Sequence, residues 1–381
     1  MIYLDNQATT PVDPIVLEAM MPFFGEKFGN AASVHHGLGC EAKEAVEIAR
    51  RTIADEINAL SREIIFTSGA TESINLAIKG LCANHPDKKH IITQATEHKA
   101  VLDTCEALAN QGWDITILSV DEYGRVDSDD VKNAIRDETV LVTIMHVNNE
   151  IGTIQPITEI GEICKENNIF FMVDACQSLG KLPLDVNRMK IDLMVSTAHK
   201  IYGPKGIGCL YVRQKNPKVE IQIQIDGGGH ERGMRSGTLP VPLIVGFDQA
   251  LKVCLRNGAK ETGRISSLRD LLYQKIKQEN EDVILNGPVN HRLAGNLNLC
   301  FPGLDAESLI TRMKGIACST GSACSSANLE PSHVLKAIGL ENEYAHGSIR
   351  FSIGRFNTEH EIQLAGEEIC KVVYKTRKKT K

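Results

Sequence analysis

Lys200 ends an apolar run and stands just before a glycine–proline turn, in Val195-Ser196-Thr197-Ala198-His199-Lys200-Ile201-Tyr202-Gly203-Pro204. Read as a strand, residues 192–195 deliver this lysine to the carboxyl edge of a sheet, where open α/β folds bind their ligands. Burial disfavours the charged amine, so a lysine there becomes a candidate Schiff-base former with an aldehyde. Taken alone it also reads as a surface lysine in a loop. Upstream, Ile169-Phe170-Phe171-Met172-Val173 runs into Asp174-Ala175-Cys176-Gln177 and sets Asp174 and Gln177 at the same edge. A carboxylate closing a buried strand is costly unless a cation meets it. A protonated pyridine nitrogen is such a cation, and pyridoxal phosphate is an electron sink that depends on an acidic partner there. Gln177 is then placed for the phenolic oxygen of the ring. Without Lys200, Asp174 would read as a helix cap.

Three further segments supply parts such a cofactor needs. Ile64-Ile65-Phe66-Thr67 gives way to Ser68-Gly69-Ala70-Thr71-Glu72-Ser73, and Ile74, Ala77, Ile78 and Leu81 follow at helical spacing. A strand, a tight turn and a helix N-terminus offer free N–H groups and a positive dipole end to a phosphate. By contrast, the glycines between 203 and 208 lack nucleotide-loop spacing and lead into a strand over Gly208-Cys209-Leu210-Tyr211-Val212, so they read as a turn. His98, in Thr96-Glu97-His98-Lys99, precedes a helical pattern of Val101, Leu102, Cys105 and Leu108. It is a candidate for stacking on a ring and moving protons, and otherwise a polar residue at a helix start. Cys324 lies in Gly321-Ser322-Ala323-Cys324-Ser325-Ser326, whose small and polar composition predicts a mobile, accessible loop. Exposure permits a nucleophilic role, since a thiol with a pKa of about 8.5 is partly thiolate at neutral pH. Cys318 alternates with Ile316 and reads as a core strand residue; it and Cys300 are the alternative sulfur carriers.

With these pieces in place, the chain resembles the cysteine desulfurases of the IscS/NifS type, in the fold-type I class of pyridoxal-phosphate enzymes. The resemblance runs over nearly the whole chain. It is carried by Tyr3-Leu4-Asp5-Asn6-Gln7-Ala8-Thr9-Thr10-Pro11, Phe66-Thr67-Ser68-Gly69-Ala70-Thr71-Glu72, Thr96-Glu97-His98-Lys99, and His146-Val147-Asn148-Asn149-Glu150-Ile151-Gly152. His199-Lys200-Ile201-Tyr202-Gly203-Pro204-Lys205-Gly206 and Gly227-Gly228-Gly229-His230-Glu231-Arg232-Gly233-Met234-Arg235-Ser236-Gly237-Thr238 complete it. The long cysteine loop is similar to that of the subgroup that hands sulfur to iron–sulfur scaffolds. The resemblance implies that Lys200 binds the cofactor aldehyde, His98 stacks on the ring and transfers protons, and Asp174 and Gln177 hold the ring nitrogen and phenolic oxygen. It implies that Ala70, Thr71, Thr197 and His199 hold the phosphate and that Thr238 reaches the phosphate of a partner subunit in a homodimer. Asn149 and Arg350 are implied to position L-cysteine, with Arg350 on its α-carboxylate, where a guanidinium fork suits recognition. Cys324 is implied to take the sulfur as a persulfide and pass it to an IscU-type scaffold and other acceptors, and to be at most a transient iron–sulfur ligand with a scaffold partner; no intrinsic metal is implied. Two departures stand out. Cys176 occupies a position where the family often has Thr, and is expected to pack. The chain stops at a basic run, residues 374–381, where bacterial housekeeping relatives continue with a tail that contributes to scaffold docking.

The elements that must position these residues fit an α/β chain. With 381 residues, 42 % hydrophobic and net charge −6, it is long enough for more than one core. Strands and helices alternate from about 64 to 212, the pattern of a mostly parallel sheet covered on both faces. The expected large cofactor-binding domain spans 14–258; a smaller α+β domain takes 1–13 with 259–381 and carries the cysteine loop. No stretch is apolar and long enough for a bilayer span, no export signal is visible, and eleven scattered cysteines point to reduced thiols in a cytoplasm, without structural zinc. The acidic body argues against nucleic-acid binding. A selenocysteine lyase or another lyase or aminotransferase of the same fold is the near alternative. A non-catalytic iron–sulfur scaffold or docking protein is the distant one.

Overall fold

The computed structural model describes residues 1–320 and 331–380. Cys324 lies outside the described residues. At the centre are seven strands: β1 (Ile64–Thr67), β2 (His90–Gln94), β3 (Asp114–Leu118), β4 (Thr139–Thr143), β5 (Phe170–Asp174), β6 (Leu193–Thr197) and β7 (Gly208–Val212). They form one sheet in the order β1-β7-β6-β5-β4-β2-β3. Only β7 runs against the rest, pairing antiparallel with both β1 and β6. The expected mostly parallel sheet is therefore present, and five of its strands are buried along their whole length, β1, β2, β4, β6 and β7.

Burial on both faces explains why these strands read as apolar runs instead of alternating ones. Ile64 and Phe66 point into one apolar cluster and Ile65 into another. Phe171 and Val173 likewise oppose Met172. The helix α1 (Gly37–Glu56) covers the first face with Val46 and Ile53, and α2 (Ala70–Ala83) covers the second with Ile74, Ala77 and Leu81. Each of these fully buried aliphatic side chains is worth about 1.5–3 kcal/mol of transfer free energy before entropy is charged against it.

A separate apolar cluster gathers Leu4, Leu268, Leu299, Phe351 and Ile369, from both ends of the sequence. Its sheet consists of β8 (Ile284–Leu285), β9 (Asn296–Cys300) and β10 (Ser348–Ser352), with β9 central and both pairs antiparallel. Residues Ile2–Tyr3 pair with Ile316–Ala317 and thereby tie the N-terminus to this cluster. After residue 240 comes one long helical segment, α3 (Val241–Glu279). It breaks at Gly258, whose φ of 41° lies in the region glycine tolerates. Cys254 packs in the first cluster and Leu268 in the terminal one, so the segment passes from one core to the other across that break. Cys318 departs from the sequence reading: the strand stops at Ala317, leaving Cys318 only partly buried beside the core.

One buried ion pair fixes the edge of the large sheet to the glycine-rich loop at 227–238. Arg50 of α1 donates to both carboxylate oxygens of Glu231 at 2.8 and 2.7 Å, and to Ile64 O. Glu231 in turn accepts from Phe66 N on β1, at 2.7 Å. Both side chains are almost fully enclosed, and Glu231 and Arg232 adopt positive φ. Removing one member strands the other charge, so Arg50→Met should lower unfolding stability by about 3–5 kcal/mol. Chemical denaturation measures this, and a loss under about 1 kcal/mol would contradict the buried-pair account.

Candidate active site

The carboxyl ends of β1, β4, β5 and β6 open onto a cavity of about 680 Å³. Ala70 and Thr71 enter it from the start of α2, His98 from the turn after β2, and Asn149 from the loop after β4. Asp174 and Gln177 follow β5, and Thr197, His199 and Lys200 follow β6. Arg350 reaches it from β10 in the other core. Residues far apart in sequence meet here because parallel strands all end on one side. Thr238 does not line the cavity; it is exposed on the loop held by Glu231. That loop is nonetheless tied to the cavity wall, because Arg235 Nε donates to Glu72 at 2.8 Å on the first turn of α2.

Lys200 sits on a single helical turn, Ala198–Lys200, directly after β6. Its Nζ donates to Gln7 O at 2.7 Å and Ala8 O at 2.6 Å. Tyr202 follows with a φ of 67°, and the Arg355 guanidinium stacks over its ring at 4.2 Å. Arg355 also pairs with Asp13 and Glu261, so the lysine turn is braced from the second core. Asp174 is buried at the end of β5 and accepts from Cys176 N at 2.9 Å. Gln177 Nε2 donates to Gln7 O at 2.9 Å.

His98 caps the helix α4, named here for Lys99–Ala109, through Ala100 N–H donated to its Nδ1 at 3.1 Å. Burial lowers its pKa, with the Asp174 charge opposing and Lys200 reinforcing. The ring is therefore neutral with its proton on Nε2, because Nδ1 is already an acceptor. Burial, aided by Lys200 and Lys205, brings His199 down to about 4, and its Nδ1 lies 3.1 Å from Thr9 Oγ1.

These residues fit pyridoxal phosphate. The N-terminus of α2 has no side-chain cap, leaving its first N–H groups for an anion, and the hydroxyl of Thr71 stands beside them. Gly69 has a φ of 153°, and a Cβ on Gly208 would meet Gly69 at 2.8 Å; the two glycines let the turn lie flat against β7. A buried carboxylate, an amide and a lysine converge opposite that phosphate cup. The cavity volume is that of an ordinary cofactor site.

Five participants carried no chemical role in the sequence reading. Gln7 and Ala8 hold Lys200 with backbone oxygens, which leave no mark on side-chain type. His333 lines the cavity and its Nε2 is 2.9 Å from Glu97 O; Ser332 bonds Glu150. Glu97 is fully buried: its Oε1 accepts from Met145 N and from Gln94, and its Oε2 has no partner among the described residues. Desolvation, reinforced by the charge of Asp174, pushes it up to about 8. Cys176 lines the cavity, but burial and the neighbouring Asp174 raise its pKa, leaving a protonated thiol that packs. Desolvation likewise pushes Cys300 to about 11 and Cys318 to about 12, which disfavours both as thiolate nucleophiles. No three-residue cluster among the described residues could hold a metal ion.

Glu97 gives a pH test. A carboxyl with its folded pKa raised is favoured protonated, so its contribution is intact below about 4.5 and lost as pH rises through about 8. Glu97→Gln mimics the protonated form. Its melting temperature relative to the parent should rise between pH 6 and pH 9; an offset independent of pH would contradict the assignment.

The model of the family described as aminotransferase class-V matches residues 2–364. The cysteine desulfurase IscS of Rickettsia rickettsii is 53 % identical over 377 residues, 99 % of this chain and 92 % of that protein. The protein of the same name from Pasteurella multocida is 53 % identical over 379 residues, 99 % of this chain and 93 % of that one. Among solved structures, a NifS-like protein superposes with a TM-score of 0.91 at 36 % identity, over 98 % of this chain and 99 % of its own. SspA in complex with cysteine gives 0.84 at 40 %, over 94 % and 100 %.

Proposed function

This chain belongs to the aminotransferase class-V family, and from that premise we propose that it is a cysteine desulfurase that uses pyridoxal phosphate to take sulfur from L-cysteine and release L-alanine. The observation that carries the reading is the meeting of Lys200, Asp174, His98 and Arg350 in one cavity, in a chain half identical to desulfurases. When bound, the cofactor supplies an electron sink for charge developing at the substrate α-carbon. The chain supplies the rest. Lys200 would hold the cofactor aldehyde, Asp174 would keep a proton on the ring nitrogen, and Gln177 would donate to the phenolic oxygen. Ala70 and Thr71 meet the phosphate at the α2 N-terminus, with Thr197 and His199 beside them. His98, neutral and protonated at Nε2, would stack on the ring and move protons. Arg350 takes the α-carboxylate and Asn149 orients the substrate.

Cys324 is the nucleophile of the sulfur step. Its thiolate attacks the substrate sulfur, an S–S bond forms as the C–S bond breaks, and the electron pair stays with the carbon skeleton. That carbon takes up a proton and leaves as alanine, and the persulfide passes to an iron–sulfur scaffold of the IscU type or another acceptor. The enzyme works as a homodimer, supported by exposed Ile15, Leu17, Met21, Phe24 and Phe28 near the N-terminus and by Thr238, which is exposed and does not line its own cavity. Residues 14–258 form the cofactor domain, and 1–13 with 259–381 the second, supported by the separate apolar clusters and the break at Gly258. No helix among the described residues is long and apolar enough to cross a membrane, and no described cysteine is in a disulfide, in keeping with a cytoplasmic enzyme.

Two variants test the assignment. Cys324→Ser should keep the yellow cofactor absorbance but release alanine from L-cysteine at least about 100-fold more slowly, and Lys200→Ala should lose the absorbance. Undiminished alanine release by Cys324→Ser would move the protein to the lyases of the same fold.

A further inference from the structure

Gln7 has one unused polar group. Its backbone N–H donates to Ser352 Oγ at 3.0 Å, and its carbonyl accepts from Lys200 Nζ and Gln177 Nε2. Its side-chain Oε1 accepts from Asn296 Nδ2 at 2.7 Å. Among the described residues its Nε2, itself shielded from solvent, has no partner, in a residue 4 % exposed that lines the active-site cavity. A buried amide left unsatisfied is costly and calls for a partner.

The direction of this amide is not arbitrary. Arg292 is held by Pro288 O and Asn286 O and donates its remaining arm to Asn296 Oδ1. A guanidinium has donors only, so Asn296 must turn its oxygen to Arg292 and its nitrogen to Gln7. That nitrogen also donates to Glu150 O at 2.9 Å, which confirms its orientation. Gln7 must therefore answer with its oxygen and leave its NH₂ free. Arg350 lines the same cavity and binds the same turn one residue earlier, donating to Asn149 O at 2.9 Å. The register pairs Asn298 with Arg350 and Asn296 with Ser352, so Asn296, the amide partner of Gln7, lies two residues along β9 from the residue opposite Arg350.

We propose that Gln7 is a second donor to the substrate α-carboxylate, its oxygen committed to Asn296 by the Arg292–Asn296 chain so that the NH₂ is the group left to donate. This rests on the reading of Arg350 as the carboxylate anchor and adds a neutral donor whose polarity is set at a distance. A carboxylate has lone pairs to accept from both groups. Gln7 touches substrate in this account; Asn296 and Arg292 are positioning residues.

Spectral titration of the holoenzyme with L-alanine and with ethylamine, the same amine without the carboxylate, separates this role from a structural one. Gln7→Met should weaken alanine binding about 10-fold or more and leave ethylamine within about twofold. Gln7→Glu keeps the acceptor for Asn296 and the side-chain shape, and should weaken alanine further by adding a like charge. Equal weakening of both ligands, or no change in alanine binding, overturns the proposal. A parent enzyme that binds alanine no better than ethylamine has no carboxylate subsite and also overturns it. A parent that prefers alanine yet forms none from L-cysteine fails the desulfurase reading instead, while the same titrations still decide the role of Gln7.

Discussion

The bond of Lys200 to the backbone oxygens of Gln7 and Ala8 joins the two halves of this molecule at its reactive centre. The lysine belongs to the large sheet, while the N-terminal segment follows Leu4 into the core built from the chain's two ends. The same short segment holds Arg350 through Asp5 at 2.7 Å, accepts from Gln177, and pairs Asp5 with Ser352. A few residues of backbone thus set the distance between the amine proposed to take the cofactor and the guanidinium proposed to take the substrate. Small displacements there would move both groups at once, and catalysis is sensitive to such displacements.

Charge in this cavity is arranged by burial more than by exposed pairing. Asp174 is enclosed where a cationic ring nitrogen would meet it, and Glu97 is pushed toward its neutral form because burial penalises its charge and the nearby Asp174 adds repulsion. The histidines are likewise kept neutral, which leaves His98 free to carry a proton and His199 free to share one with a phosphate. The outer anchors are conventional by comparison: Arg50 with Glu231 at the sheet edge, Arg355 with Asp13 and Glu261 behind the lysine turn.

Much of this was legible in the sequence, for a physical reason. Strands buried on both faces are written as continuous apolar runs, and a polar residue ending such a run has to serve something at the sheet edge. Asp174, Lys200 and the turn at 68–71 could be read in that way, and the spans of β1 and β7 follow directly. Contacts between distant segments made through backbone atoms could not. Neither the clamp on Lys200 nor the amide polarity running from Arg292 to Gln7 has a local signature, because the first arises only when the turn after β6 meets the N-terminus and the second only when β9 does. Cys318 looked like core from alternation with Ile316 alone, though its strand ends one residue before it.

The most direct measurement is anaerobic mass spectrometry of the yellow enzyme mixed with L-cysteine, followed by peptide mapping of the added sulfur. One extra sulfur atom on the peptide containing Cys324 is the predicted result. Alanine formation with Cys324 unmodified, or sulfur found on Cys176, Cys300 or Cys318, would contradict the account.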